Sequence, residues 1–210
     1  MADTDTADFY SRWAPLYDRL ATRFPGVAAA RRRTAEVLVE PGDTVVEVGC
    51  GTGANLPYLR ARAGPDGRVI GVDVSPGALS RARERIERAG WGNVGVVRGD
   101  GATLPVAGVD AILGSFVAGM FADPATVVSG WRDRAEKVGL LCAARSEREA
   151  PWVPPLNAAF GLFVRLANPE RLRRSPVSEL DESVRAARGA LDADVRDSFL
   201  GGLVTLSVER

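Results

Sequence analysis

The strongest constraint on this chain is a rhythm. Short apolar, largely β-branched runs at 44–48, 69–74, 94–98, 109–113 and 138–143 alternate with segments of helical character. Strands that are apolar on both faces belong inside a parallel sheet covered by helices on each side. Right-handed crossovers between such strands give a doubly wound, Rossmann-like α/β sheet. The helices are predicted at 25–39, 54–63, 76–89 and 123–137. Ser75 is placed to cap the third, with Pro76 in its first turn, and Asp123 to cap the fourth.

The rhythm changes after Ser146. Segment 152–167 is apolar and aromatic, with Pro154-Pro155 near its start and Arg165 near its end. It is too short and too interrupted for a membrane span. A helix packed on the sheet, an apolar substrate pocket and a membrane-surface lip all fit it. Segment 178–191 reads as a helix. Segments 194–200 and 203–209 read as strands around Gly201-Gly202, an antiparallel hairpin that closes a mostly parallel sheet. At the other end, 5–23 reads as two short helices interrupted by Pro15.

Composition narrows the chemistry. The 210 residues are 46% hydrophobic and 26% charged, enough to bury a core without disulfides. Lys and Arg number 27, as do Asp and Glu, so no net charge draws the chain toward nucleic acid. Histidine is absent, which removes His-based triads and His-containing metal sites. The two cysteines, Cys50 and Cys142, cannot form a four-cysteine zinc site, and no metal site is expected. Lys137 is the only lysine, so Schiff-base and Walker-type lysines have no other candidate. The first eight residues carry three Asp and neither a basic nor an apolar leader segment, so a cytoplasmic location is expected. The run Arg31-Arg32-Arg33 is read as a solvated helix face, with an anion site as the alternative.

The sharpest motif is Val45-Val46-Glu47-Val48-Gly49-Cys50-Gly51-Thr52-Gly53, where a strand runs into three alternating glycines and then a helix. Such a turn brings a ligand close to the backbone, at free N–H groups and a positive helix end. The next strand ends near Asp73, where an acid can accept both ribose hydroxyls of a nucleoside. Asp100, after the third strand, falls on the same carboxyl edge and could accept an exocyclic amine or cap its loop. Two details disfavour a dinucleotide. Ala54 stands where a third dinucleotide glycine would be, and Glu47 would repel a pyrophosphate. The same carboxylate suits a ligand carrying an ammonium or sulfonium.

Together these residues resemble the class I S-adenosylmethionine-dependent methyltransferases over about residues 9–146. The first motif matches Val46-Glu47-Val48-Gly49-Cys50-Gly51-Thr52-Gly53. The second matches Gly71-Val72-Asp73-Val74-Ser75, and the third Gly99-Asp100-Gly101-Ala102-Thr103-Leu104-Pro105. The resemblance implies S-adenosylmethionine as cofactor. Glu47, Gly49, Gly51 and Gly53 would lie at its methionine part, Asp73 at its ribose and Asp100 at its adenine, with Val74 and Gly101 also against the cofactor. Ser115 and Phe116 would border the reacting methyl. A finer resemblance is to quinone-biosynthesis and phosphatidylethanolamine N-methyltransferases, whose N-terminal tyrosines sit on helices that lid the cofactor. Tyr10 and Tyr17 are the matching positions, although Ser11 follows Tyr10 where Asp is common. On this reading 1–210 is a single methyltransferase domain. Lid helices occupy 1–40, the cofactor core 41–146, a substrate-side insertion 147–191 and the terminal hairpin 192–210.

The chain also departs from that family's patterns. Its fourth strand ends in Gly114-Ser115-Phe116, without the Asn-Pro-Pro-Tyr of nucleic-acid amino-methylating enzymes. The common Leu-Lys-Pro-Gly-Gly turn is replaced by Ala135-Glu136-Lys137-Val138-Gly139. The expected reaction is in-line methyl transfer to a small-molecule or lipid-like acceptor, with peripheral membrane contact left open. A non-catalytic cofactor-binding regulator is the main alternative and an NAD(P)-dependent oxidoreductase the lesser one. Any general base would be a carboxylate, a tyrosine or water. Oligomeric state is not legible.

Overall fold

A computed structural model of the protein describes residues 25–104, 106, 108–167 and 176–210. The two short helices expected in 5–23, the lid positions Tyr10 and Tyr17, and the arginines at 171, 173 and 174 lie outside the described residues.

In chain order the elements are α1 (Pro25–Leu38), β1 (Thr44–Val48), α2 (Leu56–Ala63), β2 (Arg68–Asp73), α3 (Pro76–Ala89) and β3 (Val94–Arg98). There follow β4 (Val109–Ser115), α4 (Pro124–Arg132), β5 (Ala135–Ala143), α5 (Val153–Ala167), α6 (Pro176–Gly189), β6 (Val195–Phe199) and β7 (Val204–Glu209). The seven strands form one sheet in the order β3-β2-β1-β4-β5-β7-β6. The first five pair in parallel, whereas β7 runs antiparallel between β5 and β6. This is the expected mixed sheet with its terminal hairpin.

Successive side chains on a strand point to opposite faces, and the core divides accordingly. Val45, Leu113 and Leu141 pack with Ala30 and Leu38 of α1, Leu56 and Leu59 of α2 and Ile86 of α3. Val46, Ile112 and Leu140 pack on the other face with Val128 and Trp131 of α4 and Val184 and Ala187 of α6. The order of connection reverses between β1 and β4. Open α/β sheets bind ligands at the carboxyl ends of strands beside such a reversal.

Local chemistry sets the boundaries. Ser75 Oγ accepts from the Ala78 amide at 3.3 Å, and Asp123 Oδ1 accepts from the Thr126 amide at 3.1 Å, so both expected caps form. Helix α2 begins at Leu56, two residues later than predicted, because the glycine turn extends to Asn55. Helix α4 is shorter than the predicted 123–137. It ends at Arg132, and residues 135–137 already belong to β5, where Ala135 pairs with Val109 and Lys137 with Ala111. An ion pair favours that register. Lys137 Nζ lies 2.7 Å from Asp43 Oδ2 and 3.4 Å from Glu40 Oε2, under the amino-terminal edge of the sheet.

The Lys137–Asp43 pair is largely buried, each side chain 11% exposed. Removing one partner strands the other charge. Lys137→Ala is therefore expected to lower unfolding stability by about 2 kcal/mol, below the full value for a completely buried pair. Urea denaturation measures it.

Candidate functional site

The glycine loop begins where β1 ends. The Gly49 and Cys50 amides donate to the Val72 carbonyl at 2.8 and 3.1 Å, and the Gly53 amide closes a turn on Cys50 O at 2.9 Å. Gly49, Gly51 and Gly53 have φ of 67°, 54° and 80°. At Gly49 a side chain would also collide with Val117, which follows β4 and lies over the loop. At Gly51 the space beyond the backbone is open within 4 Å, so a ligand can approach the chain there.

Asp73 at the end of β2 braces this loop. One carboxylate oxygen accepts from the Gly51 amide at 2.8 Å and the other from the Ser75 amide at 2.8 Å. Its backbone carbonyl takes the Gly99 amide at 3.1 Å, which ties the loop after β3 to the same edge. In that loop Asp100 is exposed, and its Oδ1 caps a short turn through the Ala102 amide at 2.9 Å. Gly101 is buried against Val48, where no side chain would fit. Val74 is exposed on the rim beside Asp73. Ser115 is buried at the end of β4, and Phe116 turns the chain with φ 57°, its amide bound to Leu141 O at 2.7 Å. A positive φ at a bulky residue is strained backbone, and such strain gathers at ligand sites.

Beneath the loop lies Glu47, only 2% exposed. Its Oε1 accepts from Asn55 Nδ2 at 2.5 Å, while Oε2 is buried without a hydrogen-bond partner. Asn55 Oδ1 in turn accepts from Arg31 Nη1 at 2.7 Å. Burial raises the Glu47 carboxyl to about 8; the Asn55 hydrogen bond and the Arg31 charge oppose the shift, and Asp73 adds to it. Cys50 is buried, and its thiol is pushed well above its ordinary value by burial and by the Glu47 and Asp73 charges. It is a packed thiol, not a nucleophile.

The edge thus brings together Glu47, Gly49, Gly51, Gly53, Asp73, Val74, Asp100, Gly101, Ser115 and Phe116. Sequence reading misplaced Arg31. It is 6% exposed, and its guanidinium also lies 5.7 Å from the Phe116 ring centre. Its spacing of three, four and seven from Thr34, Ala35 and Leu38, all buried on α1, was the available signal. Sequence reading also passed over Trp131, whose Nε1 donates to the Gly101 carbonyl at 2.8 Å within the same side of the core as Val48 and Phe121. Trp131→Phe is expected to lose that bond at about 1–2 kcal/mol. The strand pairing should survive, while the Asp100 loop loosens. Amide hydrogen exchange at 99–103 reports the second effect and urea unfolding the first.

Residues 45–137 match a family model described as a methyltransferase domain. A nocamycin O-methyltransferase from Saccharothrix syringae is 38% identical over 117 residues, 54% of this chain and 41% of that protein. A phosphatidylethanolamine N-methyltransferase from Cereibacter sphaeroides is 36% identical over 124 residues, 57% of each. The chain spans about half the length of these curated relatives. Among solved structures, a magnesium protoporphyrin IX methyltransferase from Synechocystis PCC 6803 with bound SAH aligns with a TM-score of 0.65. It is 16% identical and covers 98% of this chain and 96% of that one. That likeness establishes the fold. Over residues 45–137 the chain is thus similar to a methyltransferase domain, and its fold is that of the solved methyltransferase.

Proposed function

We propose that the chain binds S-adenosylmethionine along the carboxyl edge of β1, β2 and β4 and transfers its methyl group to a small, apolar or lipid-like acceptor. The observation that carries this reading is the buried Glu47 carboxyl beneath the glycine loop, with one oxygen unpartnered. A pyrophosphate would keep that carboxyl neutral and gain nothing from it, whereas a cationic ligand would complete it as a carboxylate. The residues present fit such a cofactor.

In the proposed pose the backbone at Gly49, Gly51 and Gly53 receives the methionine portion. Asp73 accepts the ribose hydroxyls with lone pairs that the Gly51 and Ser75 amides leave open. Val74 and Gly101 flank the adenine, and Asp100 accepts its amine. Ser115 and Phe116 border the reacting carbon and exclude water from it. When bound, the cofactor supplies a methyl carbon on a sulfonium, which leaves as a neutral thioether after attack from the opposite side. Tyr10 and Tyr17 are proposed as lid residues on resemblance alone.

Helix α5 supports an apolar acceptor. Trp152 before it, and Leu162 and Phe163 on it, are exposed. The relatives named for O-methylation of nocamycin and N-methylation of phosphatidylethanolamine agree with acceptors of this class. Among the described residues no helix is long and apolar enough to cross a membrane. A cytoplasmic enzyme with at most peripheral membrane contact is the proposed setting.

The test is transfer of labelled methyl from S-adenosylmethionine to a panel of phenols, enols and aminolipids. Turnover with at least one apolar acceptor is expected. Tight cofactor binding without turnover across the panel would instead favour a non-catalytic regulator.

A further inference from the structure

The chain Arg31–Asn55–Glu47 crosses from α1 through the start of α2 to the end of β1, and every link is buried. Arg31 is 6% exposed, Asn55 2% and Glu47 2%. The donors and acceptors fix its direction. A guanidinium can only donate, so Asn55 turns its carbonyl oxygen to Arg31 and its NH2 to Glu47. That arrangement holds Oε1 and leaves Oε2 as a buried oxygen without a hydrogen-bond partner. An ionised carboxylate in this state lacks compensation, and a neutral one is less demanding.

We propose that Arg31 and Asn55 are positioning residues that hold Glu47 as a cation detector: neutral in the empty site, the carboxyl ionises when a ligand places a positive charge beside Oε2, and one proton leaves to solvent. This rests on the cofactor site proposed above and assigns its preference for a cationic ligand to a three-residue relay. The charge balances, since one ligand cation enters and one proton departs. No bond other than O–H is broken.

Among the described residues, the charged and titratable groups around Glu47 are the Arg31 guanidinium on α1, Asp73 at the end of β2 and the Cys50 thiol in the loop. Arg31 stays protonated, and Cys50 is held above its ordinary range, so neither titrates near neutrality. With the empty-site carboxyl raised to about 8, the bound complex holds fewer protons than the free protein below that value. Affinity for a cationic ligand therefore rises with pH from about 6 toward 8.

Calorimetric titration in two buffers of different ionisation enthalpy counts the protons. Three ligands separate the sources of charge. S-adenosylmethionine carries an ammonium and a sulfonium, S-adenosylhomocysteine an ammonium only, and 5′-methylthioadenosine neither. Wild type is expected to release about one proton per S-adenosylmethionine at pH 7 and about half a proton at pH 8. Release with S-adenosylhomocysteine as well assigns the detected charge to the ammonium; release with S-adenosylmethionine alone assigns it to the sulfonium. The neutral ligand should release none.

Glu47→Gln preserves the shape of the neutral acid. It should abolish the release and weaken S-adenosylmethionine tenfold or more at pH 7.5, leaving 5′-methylthioadenosine within about twofold. Arg31→Gln removes the opposing positive charge, so release at pH 8 should rise from about half a proton toward one, while Arg31→Lys should keep the wild-type value. A purely structural role for Arg31 would change melting temperature without moving the proton count.

Release that persists in Glu47→Gln, or equal weakening of charged and neutral ligands, overturns the proposal. So does an unchanged proton count at pH 8 in a folded Arg31→Gln protein. Failure of wild type to bind any of the three would refute the cofactor site itself. Binding without proton release would refute only the relay.

Discussion

Replacing Gly49 by alanine is expected to destabilise the fold by about 3 kcal/mol and to abolish cofactor binding. Two effects add. The backbone at Gly49 has φ 67°, and a non-glycine residue in the left-handed region costs about 1–2 kcal/mol. The new methyl also enters the volume of the Val117 side chain, and overpacking costs about 1–3 kcal/mol more. Val117 is itself buried and follows the strained turn at Phe116, so it has little room to retreat. Gly51→Ala provides the contrast. Its φ is 54°, but nothing lies within 4 Å of the added carbon, so only backbone strain of about 1 kcal/mol is expected. A folded Gly51→Ala protein that has lost cofactor affinity would show that the ligand approaches the loop there. Urea unfolding and calorimetry on the pair separate the two roles.

The second large effect is expected at Asp73. Asp73→Ala removes the acceptor for the Gly51 and Ser75 amides and, in the proposed pose, for both ribose hydroxyls. Hydrogen bonds to a charged group contribute about 1.5–3 kcal/mol each, so affinity should fall by about 100-fold or more. Stability should change far less. The half-buried Gly51 amide can turn to water, and β2 keeps its pairing to β1 and β3, so the remaining cost falls on the buried Ser75 amide. Asp73→Asn keeps one acceptor oxygen and should lie between wild type and alanine. Equal affinity in all three proteins would remove Asp73 from the site.

Much of this is legible in the sequence. Apolar runs on both sides of each glycine turn specified a parallel sheet, and Gly201-Gly202 specified the hairpin that makes it mixed. Glu47, the three glycines and Asp73 lie within one stretch of chain, and local spacing was enough to bring them to one edge. The misreadings have a common cause. Residues 135–137 looked helical because Glu136 and Lys137 are poor strand formers, yet Lys137 is held in β5 by Asp43, ninety-four positions earlier. Arg31 looked solvated because it sits among arginines, yet Asn55 and Phe116 bury it. Trp131 gave no sign that its indole reaches the Gly101 carbonyl, thirty positions earlier. Each turned on a tertiary partner, which periodicity does not reveal.

The most direct test of the central claim is calorimetric titration of S-adenosylmethionine, S-adenosylhomocysteine and NAD against wild type and Asp73→Ala. The account predicts micromolar-range binding of the first two to wild type, loss of both in the folded variant, and no saturable NAD binding at the same concentrations. Saturable NAD binding in place of S-adenosylmethionine, or S-adenosylmethionine binding unaffected by loss of Asp73, would contradict it.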